Sequence, residues 1–162
     1  MAATFLVLTM KFAFYNSLIG FIRIGYDNEG IFSLKACELE DGENEPSELT
    51  ERAFGQLEEY FSGKRKAFDL PFKMNGTAFQ MKVWQELLKI PYGDIVSYSE
   101  IAERIGCPEG ARAVGGAVHN NPLWIIVPCH RVIGKNGKLT GYAGGLLMKR
   151  KLLQIEGEGA DE

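Results

Sequence analysis

"SYSEIAERIGCPEGARAVGGAVHNN", residues 97–121, decides the fold of the second half of this chain. Ser97 and Glu100 stand at capping-box spacing, which starts a helix at Tyr98. Ile101, Ala102 and Ile105 share its inward face, and Gly106 stops it. A second helix is expected from about Pro108 to Asn120. Two short helices joined by a tight glycine-containing turn form a helix-turn-helix, whose second helix enters a DNA groove, but an ordinary αα-hairpin has the same pattern. "ARAVGGAVHNN" carries a single arginine, Arg112, on a surface of Ala, Gly and Val. A major-groove reader would present several base-reading Arg, Asn or Gln side chains. Small residues suit close approach to a narrow minor groove; Gly115 and Ala117 equally suit tight helix packing.

Upstream, Thr77 and Gln80 form another capping box, and Phe79, Val83, Trp84, Leu87 and Leu88 make an apolar stripe that stops before Pro91. The amino-terminal texture is different. "TFLVLTMKFAFY", "IGFIRIGYD" and "GIFSLKACE" are β-rich runs, the last two joined by "DNEG", so a small antiparallel sheet is expected, with Cys37 buried in its strand. The polar stretch "LEDGENEPSE" leads to Leu49, Phe54, Leu57, Tyr60 and Phe61 at helical spacing, ending at Ser62-Gly63. The expected class is α/β, with an amino-terminal lobe over 1–70 and a mainly helical lobe over 71–162.

With 162 residues, 46% of them hydrophobic, the chain can bury a real core. No apolar run approaches the roughly 18 residues of a membrane span, and no signal peptide is recognisable, so a soluble cytoplasmic protein is expected. Cys37, Cys107 and Cys129 are odd in number and widely spaced, which argues for reduced thiols and against a disulfide framework or a cysteine-rich zinc site. The net charge of −3 hides an asymmetry: −5 over residues 1–70, +6 over 71–155 and −4 over the last seven. A basic lobe behind an acidic average can contact phosphate, although charges also simply solvate surfaces.

"VPCHRVIG", residues 127–134, sets a cysteine beside a histidine in a chain with two histidines. Cysteine attacks as thiolate, which forms where a base or a positive charge lies close, and His130 and Arg131 are the candidates. Neighbours in an extended strand face opposite ways, so a Cys129–His130 contact needs a turn or a bridging water. The alternative for Cys129 is a small buried hydrophobe.

"IPYG", "VSYSEIA", "ARAVGGAV", "NNP", "VPCHRVIG", "GYAGG" and "KRKLLQIEG", in this order and spacing, resemble the O6-alkylguanine-DNA alkyltransferases, the direct-reversal DNA repair proteins. The likeness is close over about 77–157 and loose before that. It implies a ribonuclease-H-like amino-terminal lobe and irreversible transfer of a methyl or similar alkyl group to Cys129 from O6 of guanine in double-stranded DNA, with O4 of thymine as a further expectation. It implies that His130 acts on Cys129 through a water, that Glu156 holds the histidine, and that Asn121 joins the recognition helix to the active-site turn. Arg112 is implied to fill the gap left by the flipped base, and Tyr98 to press on the phosphate, with Ser99 and Lys135 among the DNA contacts. A loop matching Leu139 to Gly145 is implied to close the guanine pocket, with Tyr142 beside the base, main-chain atoms of Val132 and Ala143 at its edge, and Gly144 within the loop. Ala143 stands where many relatives carry serine.

The amino-terminal zinc site of some relatives needs Cys and His ligands, and residues 1–76 offer only Cys37, so neither metal nor cofactor is expected. A monomer that binds the minor groove is the implied form. Two other classes carry weight: a DNA-binding module that only flags lesions, whose known relatives lack the cysteine, and a Cys-His hydrolase, which the groove-fitting helix disfavours. Trp124 lies between Asn121 and Cys129; its indole either borders the pocket and opposes bulky substrates, or faces the core.

Overall fold

The computed structural model describes residues 9–38 and 42–157. Of the expected run Thr4–Tyr15, residues 4–8 lie outside them, as do Glu158 and the acidic residues after it. Strands β1 (Lys11–Ser17), β2 (Gly20–Asp27) and β3 (Gly30–Ala36) form an antiparallel sheet in sequence order. Alternation buries Ile22 and Ile24 together with Leu34, the cross-strand partner of Ile24; Ile31, opposite Tyr26 beyond a register shift, is buried as well. The β2–β3 register shifts between Gly25 and Tyr26. A Cβ on Gly25 would stand 2.8 Å from the Phe32 ring and 2.9 Å from the Phe12 ring, so the bulge sits where only glycine lets both rings close over the strand. Cys37 falls one residue past β3 and is half-buried, not buried within a strand as expected.

Helix α1 (Glu48–Phe61) begins at a reciprocal Ser47–Thr50 capping box and turns Ala53, Leu57 and Tyr60 inward. The outer edge of β3 is taken up by later chain. Ile31 donates its amide to Pro71 O at 2.9 Å, Leu34 to Pro122 O at 2.9 Å, and Leu34 O accepts from Trp124 at 3.0 Å. These bonds satisfy an exposed edge and anchor the segment that runs towards Cys129.

Helix α2 (Ala78–Leu87) has the expected Thr77–Gln80 box, and α3 (Tyr98–Arg104) the Ser97–Glu100 box. Helix α4 (Ala111–His119) starts three residues later than expected, because Gly110 closes a turn by donating its amide to Cys107 O at 2.8 Å and then caps the helix. Trp84 of α2 donates its indole N–H to Ala117 O at 2.8 Å, locking α4 against α2. A short strand β4 (Val96–Ser97) pairs in parallel with β5 (Val132–Ile133), and α5 (Leu146–Ile155) closes the chain. Buried residues from the sheet, from α1 and from the helical half form one continuous core, from Ile22 to Leu152. Among the described residues no helix is long and apolar enough to cross a membrane.

Candidate active site

Two tight turns carry the chain from α4 to the cysteine. Ile125 adopts φ 73°, and the amide of Ile126 donates to Trp124 O at 2.8 Å across it. A β-branched residue in this region is strained, and the i to i+2 bond marks a γ-turn held by its surroundings. Pro128, at φ −79° and ψ 63°, forms the inverse version as Cys129 donates its amide to Val127 O at 2.7 Å. Cys129, His130 and Arg131 then make one turn of 3₁₀ helix, so the adjacent cysteine and histidine do not lie in an extended strand.

The Cys129 sulfur is buried and accepts a hydrogen bond from Asn121 Nδ2 at 3.1 Å. Asn121 also donates to Val127 O at 2.9 Å and accepts from the Leu123 amide at 2.9 Å, so one buried side chain ties the end of α4 to the thiol. Burial pushes the thiol up to about 11; the Asn121 bond and the Lys149 ammonium oppose that rise. The nearby cation is therefore Lys149, not Arg131 as the sequence suggested. Lys149 of α5 is fully buried, donates to Thr140 O at 2.7 Å and lies 5.8 Å from the Tyr98 ring centre. Burial lowers its pKa to about 8, and the charge of a Cys129 thiolate pulls it back up.

Arg131 serves the histidine's partner. It donates from Nε to Glu156 Oε1 at 2.8 Å and from Nη2 to Oε2 at 3.0 Å, a two-point grip, while Nη1 donates to Ile90 O at 2.6 Å. His130 Nε2 lies 2.6 Å from Glu156 Oε2. With the carboxylate ionised, Nε2 carries the proton and Nδ1 is left as the basic nitrogen, buried and without a hydrogen-bond partner among the described residues. Burial lowers the His130 pKa against the pull of Glu156, so the ring is a neutral base at neutral pH. Glu156 would be raised by burial, yet its bonds from His130, Arg131 and Tyr60 hold it far below the usual carboxylate range. The thiol can give up its proton only to a base, and the site presents a neutral imidazole backed by a fixed carboxylate.

The other expected residues divide between two places. Tyr98, Ser99, Arg112 and Lys135 line an open cleft of about 490 Å³ with Gly115 and His119 of α4. Arg112 is exposed, and a Cβ on Gly116 would meet nothing within 4 Å, while one on Gly115 would make only ordinary contact with Tyr98. Internal packing therefore does not require these two glycines. Tyr98 spans the cleft by donating its hydroxyl to Thr140 O at 3.1 Å. Tyr142 is buried, and among the described residues its hydroxyl has only a loose approach to the Cys129 sulfur; burial first, then the neighbouring Cys129 charge, raises its pKa well above the ordinary value.

Ala143 is exposed. Gly144 leaves no room for a side chain, since a Cβ would stand 2.5 Å from Met148 Sδ and 3.0 Å from the Trp124 ring. Trp124 packs on Tyr142 at 5.7 Å between ring centres, so it is a core residue that also backs the loop. Val132 gives its amide to Cys129 O, which leaves its carbonyl for any reading of a base. Sequence reasoning missed Tyr60 and Lys149 at this site. Among the described residues, no cluster of three or more His, Cys, Asp or Glu could hold a metal ion.

A buried thiol adjacent in sequence to a carboxylate-held histidine, and tied through Asn121 to the end of the helix that lines the cleft, defines a DNA-binding protein that carries a nucleophilic cysteine. The DNA-binding domain of the 6-O-methylguanine DNA methyltransferases matches residues 78–158, and their ribonuclease-like domain matches 10–74. This chain belongs to that family. The methylated-DNA–protein-cysteine methyltransferase of Methanosarcina acetivorans is 48% identical over 154 residues, which is 91% of this chain and 99% of that protein. The crystal structure of Mycobacterium tuberculosis O6-methylguanine methyltransferase superposes with a TM-score of 0.83 at 42% identity, covering 91% of this chain and 93% of that one. That of Mycobacterium tuberculosis OGT in complex with DNA gives 0.84 at 43%, covering 90% and 92%.

Proposed function

We propose that this chain repairs duplex DNA directly, by moving the alkyl group from O6 of guanine to the sulfur of Cys129. The observation that carries the reading is the bond of 3.1 Å from Asn121 to Cys129, because it makes the cleft helix α4 and the nucleophile one rigid unit. His130 Nδ1 takes the thiol proton, directly or through a water. The sulfur forms a bond to the alkyl carbon as the carbon–O6 bond breaks, and the electrons of that bond pass to the guanine, which recovers its N1 proton from the imidazolium. Glu156 and Arg131 hold the ring throughout, and Lys149 and Asn121 favour the transient thiolate.

Arg112, Tyr98, Ser99 and Lys135 contact the DNA, with Arg112 filling the stack once the nucleotide has rotated out. The unfilled faces of Gly115 and Gly116 support close approach of α4 to a minor groove. Tyr142, the backbone of Ala143 and Gly144, and the Val132 carbonyl bound the base. We place the division between lobes at 70/71 and the working form as a cofactor-free monomer in the cytoplasm, where thiols stay reduced.

A thioether offers water no ready leaving group, so each molecule acts once. With excess O6-methylguanine duplex, intact mass should show one methyl in place of one hydrogen, mapped to Cys129, with Cys37 and Cys107 free. Cys129→Ser should bind DNA and transfer nothing. More than one equivalent of repaired guanine per protein, or label on another cysteine while Cys129 stays free, overturns the assignment.

A further inference from the structure

The reactive centre contains a residue from the other half of the chain. Tyr60, on the inward face of α1, is fully buried and donates its hydroxyl to Glu156 Oε2 at 2.5 Å, 96 residues away in sequence. The same oxygen also receives His130 Nε2 at 2.6 Å and Arg131 Nη2 at 3.0 Å, while Oε1 receives Arg131 Nε and, at 3.3 Å, the Gly93 amide. A carboxylate oxygen has about two lone-pair directions, so three donors on Oε2 constrain one another's approach. Tyr60 Oη lies 3.4 Å from His130 Nε2 and sits on one flank of the imidazole–carboxylate contact.

We propose that Tyr60 is a positioning residue for the transfer: its hydroxyl fixes Glu156 Oε2, and through that oxygen sets the orientation and basicity of His130. The inference rests on the alkyl-transfer reading above. Arg131 alone could anchor the carboxylate, but it divides its grip between the two oxygens; Tyr60 donates to Oε2 alone and draws charge away from the oxygen that His130 faces. The groups acting on His130 are Glu156 at the end of α5, Arg131 in its own turn and Lys149 of α5, with the Tyr60 hydroxyl of α1 beside Nε2 and Tyr92 acting through Glu156. Tyr60 is held as a donor, because burial and the adjacent carboxylate raise its pKa far beyond ordinary tyrosine. The helical half lines the cleft, but the carboxylate that holds His130 is completed by a hydroxyl from the amino-terminal half.

Tyr60→Phe removes the oxygen and keeps the ring contacts with Phe61, Phe68 and Tyr92. Without the hydroxyl, Oε2 carries more charge and stabilises a protonated His130, so the base is occupied to higher pH. The acid limb of the transfer rate on O6-methylguanine duplex should move up by about one pH unit, the size expected for one hydrogen bond to a charged group, so that the loss is roughly tenfold on the limb itself and closes as the pH rises above it. Duplex affinity should stay within about twofold, since Tyr60 is remote from the cleft. A folded variant with an unmoved limb overturns the inference, whether its rate is unchanged or uniformly lowered, because a uniform fall is what a merely structural role gives.

Should Tyr60→Phe fail to fold, NMR on the wild type decides: the inference expects a slowly exchanging, far-downfield Tyr60 hydroxyl proton and a His130 ring protonated at Nε2, and it fails if either is missing. Wild-type methylation of Cys129 is scored in the same assay. Its absence would sink the transfer reading itself, whereas its presence with an unmoved limb sinks only the role of Tyr60.

Discussion

Asn121 Nδ2 stands 3.1 Å from the Cys129 sulfur, and the same amide also reaches Leu123 O at 3.2 Å and Val127 O at 2.9 Å. Two N–H bonds are thus divided among three acceptors, and the thiol competes with backbone carbonyls for a donor. A thiolate, being charged, wins a larger share than a thiol, so Asn121 stabilises the ionised sulfur more than the neutral one.

Asn121→Ala removes that preference and leaves the Leu123 amide unpaired in a buried turn, while the Val127 carbonyl keeps only the Cys129 amide. A stability loss of about 1–3 kcal/mol is expected, together with a thiol that ionises at still higher pH. Denaturant melts give the first and the pH profile of alkylation by iodoacetamide gives the second. An unchanged profile would mean that the bond to sulfur has no electrostatic effect.

The Glu156 hub makes the fold sensitive to acid in two successive windows. Burial keeps folded His130 neutral below its unfolded pKa of about 6.5, so the unfolded chain binds a proton that the folded one refuses, and stability falls as pH drops through that value. Glu156 is held far below its unfolded value of about 4.3; its contribution is complete above that pH and drains away as pH falls towards the depressed folded value. Tm should therefore decline from about pH 7 downwards and more steeply below about pH 4.5. Glu156→Gln should be less stable at neutral pH by about 3–5 kcal/mol, since it leaves Arg131 without its partner, and should lack the lower window. A lower window as deep as that of the wild type would assign it to other carboxylates.

Arg112 is exposed on α4, away from Cys129 and its bonds. Arg112→Ala should slow repair in duplex DNA far more than reaction with free O6-methylguanine base, because the side chain supports the rotated nucleotide and not the chemistry. Flipping costs a few kcal/mol, so a loss on the order of tenfold to a hundredfold on duplex alone is expected. Equal losses on both substrates would remove Arg112 from this role.

Local chemistry made the scaffold legible. The boxes Thr77–Gln80 and Ser97–Glu100 are complete within four residues, and both helices start where those residues place them. The start of α4 was less visible, because a turn closed by Gly110 on Cys107 leaves no side-chain signature. Cys129 and His130 stood out as rare residues side by side. Tyr60 did not, since helical spacing reads it as one more apolar position on α1, and only long-range packing brings its hydroxyl to Glu156. Arg131 stands apart from the place expected of it for the same reason: proximity in sequence suggests it beside the thiol, whereas it grips Glu156 and α5 delivers Lys149, which no local signal marked, to the thiol.

Lys149 presents the clearest conflict between stability and function. Among the described residues no carboxylate pairs with its ammonium, which has a carbonyl and the face of Tyr98 for company. Its folded pKa of about 8 lies below the unfolded value of about 10.4, so the cost of burying the charge is complete below about pH 8 and vanishes above about 10.4. Lys149→Met keeps the shape and discards the charge. At pH 7 the variant should melt no lower than the wild type despite losing the bond to Thr140, and any advantage should shrink as the pH rises past about 8 towards 10.4. Its Cys129 should ionise at higher pH and transfer a methyl group more slowly, because the cation that was costly in the resting protein is the one that favours the thiolate. Calorimetry across pH and single-turnover rates on a methylated duplex measure the two sides. A variant that is less stable at every pH yet transfers at the wild-type rate would show that Lys149 is a structural anchor for the Thr140 loop and contributes nothing to the nucleophile.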